Sequence, residues 1–398
     1  MQVFNGLGNI VGAANIVSDR GILLSRSTDH SIFGQGIPDC IVYAETPSQV
    51  RDVVRMANET LTPITPSSSG IHFNGNSLAL KGGIVLDLSR MSKVLDIDPV
   101  HRIARIEPGV TWEQFQSVLE LQGYRSVMPL FPHASRSVVT DWLEREQPTV
   151  HMTEYSEPMM SMHVVWGSGE ELVTGSASIN TFGKAGCLAI GTNPMGPGTI
   201  SFWRFLQGAQ GTIGIVTWCV VKVEPVPSVS WPFFLPLRRI EDAVTPLYLL
   251  LRRRLGYECF VVNNVDLALI LSGLGYGKFD ALRANLPAWT LVMVLGGLKR
   301  RPEEKVAYER EALFEIRDRH FPDVEIMTAI PGVEGLEHDL PGILRRPWPR
   351  NLPYWKHSWR GGCLDVTFMA TLDKAHLFID PLRSIAQSEG DGPEDIGC

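Results

Sequence analysis

Between Ile41 and Asn76 the sequence sets out a β-α-β unit that empties into a loop only small polar residues could make. Ile41, Val42 and Tyr43 form a short apolar, partly β-branched run. Thr46-Pro47-Ser48-Gln49 then reads as a helix start: Thr46 can cap, Pro47 suits the first turn and Gln49 can close a capping box. Val50, Val53, Val54 and Ala57 share one helical face. Pro63-Ile64-Thr65 is the next strand. The run from Pro66 through Ser67, Ser68, Ser69, Gly70, Ile71, His72, Phe73, Asn74 and Gly75 to Asn76 is a loop by its density of Ser, Gly and Asn.

The alternation continues. Gly83-Ile84-Val85-Leu86-Asp87-Leu88 is a strand, and Arg102-Ile103-Ala104-Arg105-Ile106-Glu107 alternates with period two as a half-buried strand. Pro108-Gly109 turns the chain, and Thr111-Trp112-Glu113-Gln114 opens a second capped helix that runs to about Gln122 and stops at Gly123. Residues 137–145 hold a turn and a helix start. Residues 162–166 and 171–174 read as a hairpin around Gly167-Ser168-Gly169, and 181–198 as a long loop. Residues 207–217 run through glycines into a strand ending near Val223. Glu224-Pro225-Val226-Pro227 marks a domain boundary. Beyond it, 240–254 is a helix, 290–295 a strand, and 303–320 a long charged helix with Glu309 and Arg310 on its polar side. Residues 345–359 are dense in Trp, Pro and Arg and carry no assignment.

The 398 residues suit two or three domains or one large α/β domain with an insertion. With 36 Lys+Arg against 43 Asp+Glu the net charge is −7, which argues against a nucleic-acid partner. No apolar run reaches the roughly 18–20 residues of a membrane span. Cys40, Cys187, Cys219, Cys259, Cys363 and Cys398 are dispersed without a CxxC pair, as expected of reduced thiols in a cytoplasmic protein. No basic stretch followed by an apolar core opens the chain, so no secretory signal is expected.

The 67–75 loop has two readings. Successive backbone N–H groups in a small-residue loop can form an anion-binding nest that needs no cation, with serine hydroxyls as further donors. The alternative is a polar surface loop. A P-loop is excluded, because no Gly-Lys-Ser/Thr closes the run. Gly6-Leu7-Gly8 with Gly12 approaches a dinucleotide fingerprint but lacks a preceding strand. The glycines of 208–214 either let a flat ligand or a backbone come close or mark a tight bend.

Taken in order, residues 66–75, Gly83-Ile84-Val85-Leu86-Asp87-Leu88-Ser89, Arg105-Ile106-Glu107-Pro108-Gly109-Val110-Thr111 and 207–217 resemble the FAD-binding domain of the vanillyl-alcohol oxidase / para-cresol methylhydroxylase (PCMH) superfamily. Glycolate oxidase and D-lactate dehydrogenase flavoproteins belong to the same superfamily. The resemblance covers residues 38–227 and, more loosely, the helix before them. It implies an α+β chain: an N-terminal helical segment over 1–37, a PCMH-type FAD-binding domain of two α+β subdomains over 38–227, and an α+β cap over 228–398. The cap is expected to be incomplete at its C-terminal end, since relatives continue past the 361–368 strand.

The resemblance implies FAD. Pro66, Ser67, Ser68, Ser69, Gly70, Ile71, His72, Phe73 and Asn74 would hold its diphosphate. Ser137, Val138, Val139, Thr140 and Asp141 would pass the flavin and ribityl chain, and Gly211, Thr212, Gly214, Ile215 and Val216 would contact the cofactor from a strand. Aligned on Gly75, the histidine through which some relatives tether FAD falls at Ile71, with His72 one place off, so non-covalent FAD is expected. The histidine-rich metal motif of the 2-hydroxyacid dehydrogenases has only Asp391-Gly392 as a counterpart, and no metal is expected.

The implied activity is hydride transfer from an alcohol, para-substituted phenol or hydroxy acid to flavin N5. The alternatives are an accessory FAD-binding subunit of a larger oxidase or dehydrogenase complex, or a D-2-hydroxyacid dehydrogenase. Among cap residues that could face the flavin, Arg360 either binds a carboxylate or phenolate with its fork of donors or is a surface arginine. His357 is either a base or a solvated loop residue. Tyr354, with Trp355 and Trp359, either lines a pocket or packs in the core. Lys356 and Asp365 are further candidates, and Glu154 and Tyr155 weaker ones. The expected partner is a small-molecule substrate, with the electron acceptor unspecified and a homo-oligomer left open.

Overall fold

Thr46 caps its helix as the sequence predicts: its hydroxyl accepts the Gln49 N–H at 3.2 Å, while Gln49 Oε1 accepts the Glu45 N–H at 2.8 Å. A computed structural model describes residues 2–150, 158–179, 201–359, 361–366, 370–388 and 396–397. The chain opens with α1 (Gln2–Val11), β1 (Ile16–Val17), α2 (Arg20–Ser25) and β2 (Cys40–Tyr43), followed by α3 (Pro47–Glu59), β3 (Ile64–Ser67) and β4 (Ile84–Asp87). These strands form a four-stranded sheet in the order β1-β2-β4-β3. The pairs β2-β4 and β3-β4 are parallel, with Ser67 opposite Asp87. Val50, Val53, Val54 and Ala57 are all buried, packed with Leu7 and Val11 of α1 against β2 and β4. The N-terminal segment is therefore only partly helical, and β1 stitches it into the sheet. Gly6, Gly8 and Leu7 lie within α1, with no preceding strand.

The second unit comprises β5 (Val94–Asp98), β6 (Ile103–Ile106), α4 (Trp112–Glu120), β7 (Tyr124–Ser126), α5 (Val138–Leu143), β8 (Met159–Trp166), β9 (Glu171–Val173) and β10 (Gly214–Pro225). Its sheet runs β5-β6-β10-β8-β9, with β7 on the far end of β10. Trp112, Phe115 and Leu119 of α4 and Val138, Val139 and Trp142 of α5 fill its core. The hairpin at Gly167-Ser168-Gly169 forms as expected.

A third sheet, β11-β13-β12, is built from β11 (Val229–Leu237), β12 (Glu258–Asn263) and β13 (Trp289–Gly297), all antiparallel. Its helices are α6 (Val244–Arg252), α7 (Asn264–Gly273), α8 (Phe279–Asn285), α9 (Pro302–His320), α10 (Leu336–Ile343) and α11 (His376–Ser388). The period of two sorts β13 between two cores. Leu291, Met293 and Leu295 meet α6 and α9, while Val292 and Val294 meet α7 and α10. Glu309 departs from its expected place on the polar side of α9: it is buried and takes Lys305 Nζ at 2.7 Å. Residues 361–366 are not a strand; Thr367 and Phe368 lie outside the described residues, as do the 181–198 loop, Glu154, Tyr155 and Asp391-Gly392. Among the described residues no helix is long and apolar enough to cross a membrane.

The third sheet and its helices are joined to the second unit by a buried ion cluster. Arg125 on β7 pairs with Glu258 on β12 and, at 3.1 Å, with Glu224 on β10. Arg345 meets Glu258 at 3.1 Å from the other side. Segment 345–357, unassignable from sequence, lies along residues 131–136: Trp348 N–H donates to the Pro132 carbonyl at 2.9 Å and Trp355 Nε1–H to that of Phe131 at 3.1 Å.

Candidate functional site

The loop after β3 leaves the sheet at the carboxyl end of a parallel strand, where α/β folds place ligands. Gly70 and Gly75 hold it in left-handed backbone conformations, with φ of 77° and 73°. The backbone N–H groups of Ser69, Gly70, His72, Phe73 and Asn74 have no acceptor among the described residues. The serine hydroxyls serve a different purpose from the one expected. Ser68 Oγ meets Thr140 Oγ1 at 2.5 Å, and Ser69 Oγ accepts the Ser137 N–H at 3.1 Å. They fasten the loop to α5 and leave those main-chain amides without a serine acceptor. A cation is present as well: the Arg26 guanidinium lies against Gly70 and pairs with buried Asp87 at 3.2 Å.

A cleft opens between this loop, α5 and the start of β10. Of the expected cofactor residues, Pro66, Ser67, Ser68, His72, Val139, Thr140, Gly211, Gly214, Ile215 and Val216 line it. Ser69, Gly70, Ile71, Phe73, Asn74, Ser137, Val138, Asp141 and Thr212 do not. The glycine at 211 is needed for close approach, since a Cβ there would lie 2.5 Å from Pro66. α5 explains the division among its residues. Val139, Thr140, Leu143 and Glu144 face the cleft, while Val138, Asp141 and Trp142 turn inward. Asp141 takes Trp112 Nε1–H and Arg136 Nε, each at 2.5 Å, so its carboxylate is committed to the core.

Glu144 had no signal in the sequence. It accepts Asn74 Nδ2–H at 3.0 Å and Asn76 Nδ2–H at 2.9 Å, and pairs with Arg136. Arg136, held protonated by Asp141, Glu144 and Glu146, lies 4.7 Å from the Phe73 ring centroid. His72 is fully buried in the cleft wall. Its Nε2 lies 3.3 Å from Ser67 Oγ, and its Nδ1 has no partner among the described residues. Burial, aided by Arg136 and Arg26, pushes its pKa down to about 3, so it is a neutral hydrogen-bonding group.

On the far side of Phe73 stand Tyr354 and His357, with ring centroids 5.4 and 5.5 Å from it. Two histidines that the sequence did not single out join them. His30 stacks on His357 at 5.5 Å, and His133 lies 5.2 Å from Tyr354. Burial raises the Tyr354 hydroxyl above its ordinary value and lowers His357. His357 Nε2 is buried with no partner among the described residues. Lys356 is held by Asp365 at 2.7 Å. Arg360 lies outside the described residues.

One wall of the cleft carries the neutral His72 imidazole and the other walls carry apolar Val139, Leu143, Ile215 and Val216; of the residues with unpartnered amides only His72 belongs to the lining, and Ser69, Gly70, Phe73 and Asn74 lie on the same loop beside it. Residues 38–138 match the family model described as an FAD binding domain. The chain is 24% identical over 313 residues to an uncharacterized FAD-linked oxidoreductase of Mycobacterium tuberculosis, covering 77% of this chain and 65% of that protein. It is 30% identical over 223 residues to the flavoprotein subunit of 4-cresol dehydrogenase [hydroxylating] of Pseudomonas putida, covering 53% and 40%. Over 217 residues it is 25% identical to a D-lactate dehydrogenase of Anaerostipes hadrus, covering 54% and 42%. The crystal structure of p-cresol methylhydroxylase with substrate bound superposes with a TM-score of 0.72 at 21% identity, over 91% of this chain and 72% of that one. The chain spans less than two thirds of the length of these curated relatives.

Proposed function

From the premise that the chain belongs to the PCMH-type FAD-binding oxidase family, with FAD as its cofactor, we propose that it is an oxidoreductase acting on a CH–OH group or a para-substituted phenol. Residues 38–227 form the FAD-binding domain and residues from 228 the cap. FAD is held non-covalently in the cleft, its diphosphate against the amides of residues 69–74 and its remainder along Val139, Thr140 and 214–216. When bound, it supplies a two-electron acceptor.

The observation that supports this reading is that Tyr354 and His357 pack against Phe73, the neighbour in sequence of the cleft-lining His72. His357, neutral at pH 7 with a buried, unpartnered Nε2, takes the substrate hydroxyl proton. Tyr354 stays protonated and orients the substrate oxygen as a donor. A 2-hydroxy acid would bring a carboxylate. The described cations bordering the seam, Arg136, Arg350 and Lys356, each already face one, which favours a neutral alcohol or phenol.

The purified protein should be yellow, and heating should release free flavin into the supernatant. Anaerobic addition of a 4-alkylphenol or an alcohol should bleach the visible band, while a D-2-hydroxy acid should not. Bleaching by the hydroxy acid alone would reverse the substrate assignment. A flavin that no substrate bleaches would point to an accessory FAD-binding subunit, and a folded, colourless protein that cannot be reconstituted would defeat the reading.

A further inference from the structure

Residues 26–36, which precede the matched FAD-binding residues and do not line the cleft, run beside the cofactor loop in step with it. The Arg26 guanidinium lies where a Cβ on Gly70 would be only 2.7 Å away. His30 N–H donates to the His72 carbonyl at 2.9 Å, and its ring lies 5.6 Å from Phe73. The Phe33 ring covers Gly75, 2.8 Å from the position of a Cβ there, and Gly36 abuts the Ala79 backbone at 2.7 Å by the same measure. Gly36 N–H closes back on the Ser27 carbonyl at 2.9 Å. That bond makes the stretch a compact Ω-type loop, and Asp29 Oδ1 braces it by accepting the Ser31 N–H at 2.9 Å. Its far side reaches the cap, where His30 stacks on His357 and Ile32 lies near Gly362.

We propose that residues 26–36 form a retaining strap for the dinucleotide, holding the 69–76 loop in the shape that presents its amides. The inference rests on the FAD reading above. A loop whose N–H groups lack acceptors gains no internal hydrogen bond from holding its shape. Unbraced, it would have to be ordered by the ligand, at the ligand's expense in affinity. Three successive contacts from the strap, with a fourth at Ala79 just beyond the loop, remove that cost in advance. Because the strap also touches His357, it is the part that must shift if the loop is to open beside the cap.

The test is the rate of FAD release after dilution, read by recovery of flavin fluorescence, together with FAD titration of the apoprotein. Phe33→Ala removes the cover from Gly75 at a half-exposed position. Gly36→Ala pushes the strap off the Ala79 backbone. Both should release FAD at least tenfold faster and raise its Kd, Phe33→Ala with the urea midpoint of the apoprotein unchanged and Gly36→Ala, whose Cβ meets backbone, with that midpoint lowered. Leu61→Ala, an exposed control far along the chain, should leave both values alone. Release within twofold of wild type in both strap variants, from a wild type that does bind FAD, overturns the strap and leaves the FAD reading intact. A wild-type apoprotein that takes up no FAD at all overturns both.

Discussion

His357 and Glu144 show how side chains from distant segments share one site. His357 offers a buried ring nitrogen to the seam, with its ring plane set by the stacked His30. Replacing His357 with phenylalanine keeps the aromatic packing and removes the proposed proton acceptor. Turnover should fall by roughly 10²–10⁴-fold, the usual range for loss of a general base, while bound FAD per chain, read from the absorbance ratio, stays the same. Glu144 binds nothing that reacts; it positions the loop through Asn74 and Asn76. Glu144→Ala leaves two amides and Arg136 short of an acceptor. The FAD Kd should rise about tenfold and stability should drop by about 1–3 kcal/mol, the cost of unsatisfied buried donors, both measurable by titration and urea unfolding. The cleft loop was legible from its own composition, but these partners were not. His30 and His133 sit in stretches with no motif, Glu144 ends a helix whose start alone was read, and only folding brings the three to the loop. Of the segment that the resemblance implies for the cofactor, Val138 and Asp141 do not line the cleft, because a helix turns every third or fourth side chain away from any one face.

At the scale of elements, two of the contacts between the third sheet with its helices and the rest of the chain are made by ionisable side chains. One is the Arg125–Glu258–Arg345 cluster, whose side chains are nearly fully buried. Glu258→Ala would leave two buried guanidiniums facing each other. A loss of about 3–5 kcal/mol in the urea midpoint analysis is expected, as for other broken buried pairs. The other is the imidazole group of His30, His133 and His357, faced by Asp29, Arg136, Arg350, Lys356 and Asp365. Burial lowers all three, His133 from 6.5 to about 4. The folded chain therefore binds fewer protons than the unfolded one, and this stability is complete above about pH 6.5 and lost as pH falls toward 4. The urea midpoint should decline from about pH 7 to about pH 5, and His133→Phe should flatten the decline; an equal slope in the variant would remove His133 from the account. Sequence patterning found the elements with strong local signals, such as α3, α4, β4 and β13. It missed β11, whose Pro232 and Pro236 are tolerated because β11 is an edge strand. It also missed β5, an edge strand polar at Asp96 and Asp98, and the three-residue β7.

For the whole molecule, a cofactor bound only by the native chain adds RT ln(1 + [L]/Kd), about 2.7 kcal/mol at a hundredfold excess over Kd. Thermal unfolding should therefore move upward with added FAD and return to the apoprotein value when the flavin is stripped, and a transition indifferent to FAD would contradict the cleft assignment. The parallel first sheet was readable in advance because β2, α3 and β3 are adjacent in sequence. The order of the cap sheet and the docking of 345–357 along 131–136 depend on contacts between residues far apart in the chain, which no local pattern encodes.

β10 is a single strand of twelve residues. Its first three positions form a wall of the cofactor cleft, and its Glu224 reaches the Arg125 cluster at the root of the cap. The two ends are joined by one extended backbone clamped between β6 and β8. Because one strand contributes to both places, its register, which shifts against β8 between Val216 and Trp218 and between Cys219 and Val221, sets the cleft wall and the joint together. Damage at either end should be felt at the other.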